Sequence, residues 1–265
     1  MALALPSPPV MRAALEHNLG VALKLQGRHG EALTRFDAAL AQAPELPQVQ
    51  ANRAGVLQHL GRRDEAIAGY RRAIARDPGH LAAHQELNAL LYRMGRDADF
   101  LKSYDEAAIR TSRPAALLTA KGGFLARIER FEEARECFER AASSEPENPA
   151  AQNGLALALA GLNQFEPTIA AYEKSLTLKP DDVPTQVNLA GTLLRVGDAA
   201  RALTLTEDAV VRQPHDQAAL AMHELALRLN HDPAPRCWPT MSVTCRSSIS
   251  MRRTASPTWR RSTRC

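Results

Sequence analysis

The sequence predicts an all-α solenoid, in which pairs of helices stack one after another along the chain. Two observations carry this prediction. Prolines recur on a lattice of 34 residues, at Pro44, Pro78, Pro146, Pro180 and Pro214, and a fixed period of this size is typical of repeat architectures. The chain is also 45% hydrophobic but only 5% aromatic, a composition that suits Ala- and Leu-rich stacked helices better than one compact core.

The missing member of the proline lattice is Ser112, and Pro114 follows two residues later. The period divides the chain into six units of 34 residues, preceded by a flexible N-terminus at 1–12 and followed by a capping helix at 217–232. The predicted units are 13–46, 47–80, 81–114, 115–148, 149–182 and 183–216.

Equivalent positions of the units carry equivalent residues. The eighth and twentieth positions are mostly small, the twenty-fourth is mostly aromatic, and the fifteenth is a turn residue, usually glycine. The eleventh position is leucine throughout: Leu23, Leu57, Leu91, Leu125, Leu159 and Leu193. We therefore expect each unit to contain a helix A, a tight turn and a helix B that ends before its proline. One such unit cannot bury its apolar face alone, so neighbours must stack.

Two units depart from this pattern. Unit three carries Asn88 at the eighth position and Phe100 at the twentieth, where other units have small residues. We expect its two helices to pack farther apart than in other units, or to shift relative to each other. Unit five carries Pro167 near the start of helix B, a position that tolerates proline.

In period, small positions and terminal proline, residues 13 to about 230 resemble the tetratricopeptide repeat (TPR) family. The resemblance implies a right-handed superhelix of about six helix-turn-helix units plus a capping helix. It also implies a concave groove, lined by helix A, that binds a protein or an extended peptide. The tryptophan that is usual at the fourth position of the family is absent here.

The candidate binding residues lie on helix A. Asn18, Asn52 and Asn188 share the sixth position, and the row is similar to the asparagine ladder in the TPR part of O-linked N-acetylglucosamine transferase. An asparagine amide can donate to and accept from a peptide backbone. The alternative is that asparagine is only a tolerated polar residue there. Positions twelve and thirteen add further candidates: Gln58, His59, Tyr92, Arg93, Arg127 and Arg195.

Some TPR proteins hold a C-terminal carboxylate with Lys and Asn at set places on helix A. The matching places of unit one are His17 and Val21, so we do not expect that clamp.

No catalytic motif is apparent. The sequence HELAL at 223–227 lacks the second histidine of a zinc-binding helix. His80 and His84 are four residues apart, and we interpret them as surface histidines rather than metal ligands. We interpret Cys137 as a small packing residue. We therefore predict no catalysis, no cofactor and no metal site in this chain.

The positive charge is concentrated at the C-terminal end. Residues 233–265 contain seven arginines and no Lys, Asp or Glu, and subtracting them from the formal net charge of +4 leaves residues 1–232 at −3. This acidic body argues against a nucleic-acid surface on the repeats. Two interpretations of 233–265 stay open. It is either a disordered basic tail that binds nucleic acid or anionic membrane, or the product of a frameshift.

Read one base earlier, the DNA of this segment permits YDERYLPVFDID, which resembles the linker between a TPR array and an oxygenase-like domain that uses 2-oxoglutarate and iron. The alternative function follows from this interpretation. The array would then be the substrate-recruiting N-terminal region of a larger enzyme, such as an oxygenase, glycosyltransferase or sulfotransferase.

The N-terminal MALALPSPPVMR has no basic region before its short apolar run, and we do not interpret it as a signal peptide. No stretch approaches the ~20 apolar residues of a membrane span. Three of the four cysteines lie in 233–265, so the repeats hold no disulfide framework. We expect a cytoplasmic protein with no membrane contact through the repeats.

Overall fold

The computed structural model describes residues 9–96, 99–111 and 114–231, with only the backbone for residues 9 and 10. Within these ranges the regular structure consists of thirteen α-helices and no strand. The helices are α1 (Pro9–Leu25), α2 (His29–Gln42), α3 (Pro47–His59), α4 (Arg63–Arg76), α5 (Leu81–Arg93), α6 (Lys102–Arg110), α7 (Pro114–Arg127), α8 (Phe131–Ser144), α9 (Pro149–Gly161), α10 (Phe165–Leu178), α11 (Val183–Val196), α12 (Ala199–Arg212) and α13 (Gln217–His231).

The helices pack as a repeating series, which confirms the predicted all-α solenoid. Odd-numbered helices from α1 to α11 are helix A of a unit, and the even-numbered helices are helix B. Helices A and B of a unit contact each other, and each helix B also contacts the helix that follows it. The last helix, α13, packs against both α12 and α11.

The recurring positions of the sequence form the core. All six leucines of the eleventh position are at most 7% exposed. The aromatic side chains of the twenty-fourth position, from Phe36 in unit one to Tyr172 in unit five, are at most 2% exposed. Each buries a large apolar ring between neighbouring helices. Cys137 is buried among the apolar side chains of units three to five, as expected of a packing residue.

The turn between helix A and helix B has the same backbone in all six units. The residue at position fifteen has a positive φ whether or not it is glycine: 75° at Gly27, 77° at Gly61, 63° at Gly95, 63° at Glu129, 58° at Asn163 and 88° at Gly197. Glycine adopts this left-handed region without steric cost, which explains why four of the six are glycine.

Unit three departs from its neighbours, as its sequence indicates. Helix α6 has 9 residues, whereas the other helices B have 14. The Asn88 side chain, fully buried at the eighth position, fills the place where other units have a small residue. Its Oδ1 accepts from the backbone N–H of Leu101 at 2.6 Å, and its Nδ2 donates to Ser103 Oγ at 2.8 Å. A hydrogen-bonded contact thus replaces close helix packing in this unit.

The interpretation of His84 as a surface residue was wrong. His84 is 0% exposed, and its ring nitrogens lie 3.0 Å from Ser103 Oγ and 3.0 Å from the carbonyl oxygen of Pro78. It also stacks on Tyr104, with ring centroids 5.0 Å apart. His84 belongs to the same buried polar network as Asn88, which the sequence pattern did not reveal.

Several predictions concern residues outside the described ranges. They are residues 1–8 of the flexible N-terminus predicted for 1–12, of which 9–12 belong to α1, and both interpretations of the segment 233–265, together with the larger enzyme that the second of them implies. These stay predictions. Among the described helices, none is both long enough and apolar enough to cross a bilayer.

Candidate functional site

A cavity of about 190 Å³ opens between the helices A of units one, two and three. We call it the α1–α3–α5 pocket. It is lined by Lys24 of α1, by Gln48, Ala51, Asn52, Gly55, Gln58 and His59 of α3, by Tyr70 of α4, and by His80, Ala82 and Glu86 at α5. Three of the predicted candidates, Asn52, Gln58 and His59, therefore meet at one place.

Two polar atoms of this lining are buried without a hydrogen-bond partner: Gln58 Oε1 and His80 Nε2. The Nδ1 atom of His80 accepts from the backbone N–H of Ala83 at 3.3 Å, where it caps helix α5. In a neutral ring the proton then lies on Nε2. The residues that line the pocket therefore include an unused acceptor at Gln58 and an unused donor at His80. Leaving such groups unpaired costs free energy.

The pocket also carries two charges of opposite sign. Lys24 and Glu86 both line it, and neither forms a salt bridge within the described part of the chain. Gly55 keeps the space beside Lys24 open, because a Cβ atom there would lie 3.5 Å from Lys24 Nζ and 3.5 Å from the Tyr70 hydroxyl. Burial, and to a lesser extent the charge of Glu86, raises the pKa of Tyr70. The hydroxyl therefore stays a neutral hydrogen-bond donor.

Asn52 is already engaged within the protein. Its Nδ2 lies 2.9 Å from His17 Nε2 on the neighbouring helix A. Burial lowers the pKa of His17, which favours the neutral ring that accepts this bond. The other two members of the predicted row, Asn18 on α1 and Asn188 on α11, are exposed, and neither lines the pocket.

Tyr92 and Arg127 belong to a second cluster, at units three and four. The ring of Tyr92 lies 5.6 Å from Phe100 and 6.0 Å from Phe124, and these two phenylalanines are 5.4 Å apart. The guanidinium of Arg127 lies 4.9 Å from the centre of the Phe124 ring. Tyr92 is 48% exposed, so the cluster presents an aromatic surface to solvent. Phe100, which stands at a position where most other units have a small residue, is part of this cluster.

The remaining candidates stand apart. Arg93 is exposed. Arg195 stacks over Phe165 at 4.5 Å and donates to Asn163 Oδ1 at 2.9 Å. The structure thus divides the predicted residues among several places rather than joining them in one continuous ladder.

The sequence analysis did not identify Lys24, Tyr70, His80 and Glu86 as candidate binding residues. For two of them the repeat positions contained a signal. Lys24 occupies the twelfth position of unit one, which is equivalent to Gln58. Glu86 occupies the sixth position of unit three, where units one, two and six have asparagine.

Family models described as tetratricopeptide repeat match residues 23–91 and 125–183. Both segments are tetratricopeptide repeats. The first match contains every residue of the α1–α3–α5 pocket, so the pocket is built entirely from recognised repeats. No curated protein sequence matches the chain.

Solved structures support the same fold. Yeast Tom70 is 22% identical, with a TM-score of 0.61 over 77% of this chain and 45% of its own. PilW, a type IV pilus biogenesis factor, is 20% identical, with a TM-score of 0.55 over 79% of this chain and 97% of its own. Cut9 with Hcn1, from the APC/C, is 18% identical, with a TM-score of 0.54 over 84% of this chain and 43% of the other. The chain therefore spans less than half of the Tom70 and Cut9-Hcn1 chains it matches. At these identities the likeness concerns the fold.

Proposed function

We propose that this TPR protein is a non-catalytic scaffold that binds an extended peptide segment of a partner protein across its helix A faces. The observation that carries the proposal is the pair of unpartnered buried atoms on residues that line the α1–α3–α5 pocket, Gln58 Oε1 and His80 Nε2. A partner that satisfies both atoms removes the cost of leaving them buried and unpaired.

The chemistry of the pocket favours an amide group of the peptide. An amide carbonyl accepts from the Nε2–H of His80, and the N–H of the same group donates to Oε1 of Gln58. The opposite charges of Lys24 and Glu86 on the lining favour a ligand group without net charge. A cavity of about 190 Å³ is several times the ~30 Å³ that one water occupies in the liquid. It therefore has room for an Asn or Gln side chain or a backbone peptide group.

Binding uses a surface that is already formed. Helices α1, α3 and α5 are held by buried core contacts, so the scaffold loses little conformational freedom when the peptide docks. Tyr92 supplies a second contact, because its exposed ring is fixed by Phe100 and Phe124. Rigid aromatic side chains of this kind are frequent anchors of protein interfaces.

The test begins with peptides selected from a random phage-displayed library on the immobilised full-length protein. Their affinities are then measured for the parent and for Gly55→Leu, which fills the space beside Lys24 and Tyr70. We expect Gly55→Leu to weaken binding at least about tenfold. The helix should remain intact, because leucine has a higher helix propensity than glycine.

Gly123→Leu is the matched control. Gly123 occupies the same position of unit four as Gly55 in unit two, and a Cβ atom there would meet nothing within 4 Å. This variant should bind the selected peptides within about twofold of the parent. If Gly55→Leu binds the peptides as tightly as the parent, and circular dichroism shows that both are folded, the proposal is wrong.

A further inference from the structure

The first helix of the array carries an uncharged, largely apolar face that nothing in the described residues covers. We define the α1 face as Met11, Ala14, Leu15, Asn18, Leu19, Ala22 and Leu25. Its four largest side chains are 56% (Met11), 62% (Leu15), 43% (Leu19) and 82% (Leu25) exposed. The neighbouring charged residues lie outside it, and one of them, Glu16, is paired with Arg35.

The repeat itself shows what this face does in the other units. Leu15 and Ala22 occupy the third and tenth positions of unit one. The equivalents of Leu15 are Val49, Ala83, Leu117, Ala151, Thr185 and Ala219, and those of Ala22 are Val56, Leu90, Phe124, Ala158, Thr192 and Ala226. All twelve are at most 6% exposed.

In those units the face is covered by a neighbouring helix of the array. Val49 and Val56 of α3, for example, share a buried cluster with Phe36 and Ala39 of α2. Leu15 and Ala22 therefore belong to a stacking surface of the repeat that lacks its partner helix within the described residues. In α3, α5, α7, α9, α11 and α13 the third and tenth positions are part of the core, whereas the positions equivalent to Asn18 and Leu25 are exposed or half-buried.

The opposite end of the array is different. In α13 the small residue of the eighth position is replaced by Glu224, which pairs with Arg228 on the same helix. Both side chains are largely exposed, 64% and 72%. The C-terminal end is thus closed by a solvated, charged surface, as a capping helix requires, whereas the N-terminal end is apolar.

We infer that the α1 face binds the α1 face of a second copy of this chain, with the two helices antiparallel about a two-fold axis at Asn18. The residues Met11, Leu15, Asn18, Ala22 and Leu25 alternate spacings of four and three, the pattern of a coiled-coil seam. The seam is centred on Asn18. Antiparallel pairing therefore places Met11 against Leu25 of the second copy, and Leu15 against Ala22.

The pairing is self-complementary in size and in hydrogen bonding. A large side chain meets a small one at Leu15 and Ala22, so the two helices can approach closely. Asn18 meets its own copy, and each amide supplies a donor and an acceptor to the other. A two-fold interface of this kind uses the same patch on both subunits.

No other described helix has more than two exposed large apolar side chains, whereas α1 has four. Of the described helices, α1 therefore presents the most extensive exposed apolar face to a second copy. Because the patch is one helix long, it is smaller than a standard interface, and we expect a dimer that forms and dissociates with concentration.

Sedimentation velocity of the full-length protein over a concentration series tests this inference. The parent should change from monomer to dimer as its concentration rises. Leu15→Glu should raise the dissociation constant at least about tenfold, because it places two unpaired carboxylates in the seam. Its melting temperature should stay that of the parent, since Leu15 is exposed in the monomer.

The antiparallel arrangement makes a sharper prediction. Ala22→Lys alone should also weaken the dimer. The double variant Leu15→Glu, Ala22→Lys should restore much of the parent's dimer affinity, because each glutamate then faces a lysine of the second copy. Val211→Glu, at a residue that is 78% exposed on α12, is the control and should dimerise like the parent. A parent that stays monomeric at all concentrations, or a dimer that Leu15→Glu leaves intact, overturns the inference. Failure of the double variant to recover overturns the antiparallel pairing.

Discussion

At the scale of single residues, Glu129 and Asn163 show how the array overrides local preference. Both stand at the fifteenth position, where four units have glycine, and both adopt a left-handed backbone, with φ of 63° and 58°. For a residue with a Cβ atom this conformation costs roughly 1–2 kcal/mol, although asparagine tolerates it better than most. The helices on either side impose the turn whatever residue occupies it.

Glu129→Gly should therefore stabilise the protein. We expect the free energy of unfolding to rise by about 1 kcal/mol, because the strain of the left-handed backbone outweighs the greater freedom of glycine in the unfolded chain. Urea denaturation followed by circular dichroism measures the change. Asn163→Gly serves as the comparison and should give a smaller gain. A loss of stability in Glu129→Gly would show that the turn at Glu129 is unstrained.

At the scale of one element, unit three shows the limit of the repeat pattern. The sequence identified Asn88 and Phe100 as departures and predicted altered helix packing. It did not predict the network that joins Asn88 to His84, since Ser103 lies at no recurring position and the contact with Pro78 is made by its backbone carbonyl oxygen, which the proline pattern does not reveal. Which polar side chain is buried depends on the start of α6 at Lys102, and that start is set by tertiary packing.

The buried His84 should make stability depend on pH. Burial lowers the pKa of His84 below its ordinary 6.5, and the like charge of His80 adds to this, while the Pro78 carbonyl and Asp77 oppose it. As the pH falls below about 6.5, His84 binds a proton more readily in the unfolded chain than in the folded protein. The free energy of unfolding should therefore decrease from pH 7 to pH 5.

His84→Gln is the variant that tests this dependence. It removes the titrating group, so its free energy of unfolding should change less between pH 7 and pH 5 than that of the parent, in denaturant titrations at both values. His17, whose pKa burial also lowers, contributes equally to both proteins. Parallel pH profiles of variant and parent would mean that the folded protein accommodates a protonated His84.

At the scale of the whole molecule, the sequence predicts the fold but only some residues of the site. The fold follows from contacts between neighbouring elements, and the residues that make them, such as the leucines of position eleven, recur with the period. The α1–α3–α5 pocket instead depends on which side chains from three units converge and which of their atoms lack partners. Gln58 was predicted by its place on helix A, whereas His80 gains its role from a backbone bond to Ala83 that no pattern specifies.

Hydrogen exchange of the full-length protein, measured by mass spectrometry with and without a library-selected peptide, tests whether the peptide binds at the α1–α3–α5 pocket. If the peptide binds across the helix A faces at the pocket, amide exchange should slow in Pro47–His59 and Leu81–Arg93. It should stay unchanged in the helices B α8, α10 and α12. Slowing confined to helices B, with α3 and α5 unaffected, would contradict the account and place the binding surface on the opposite side of the array.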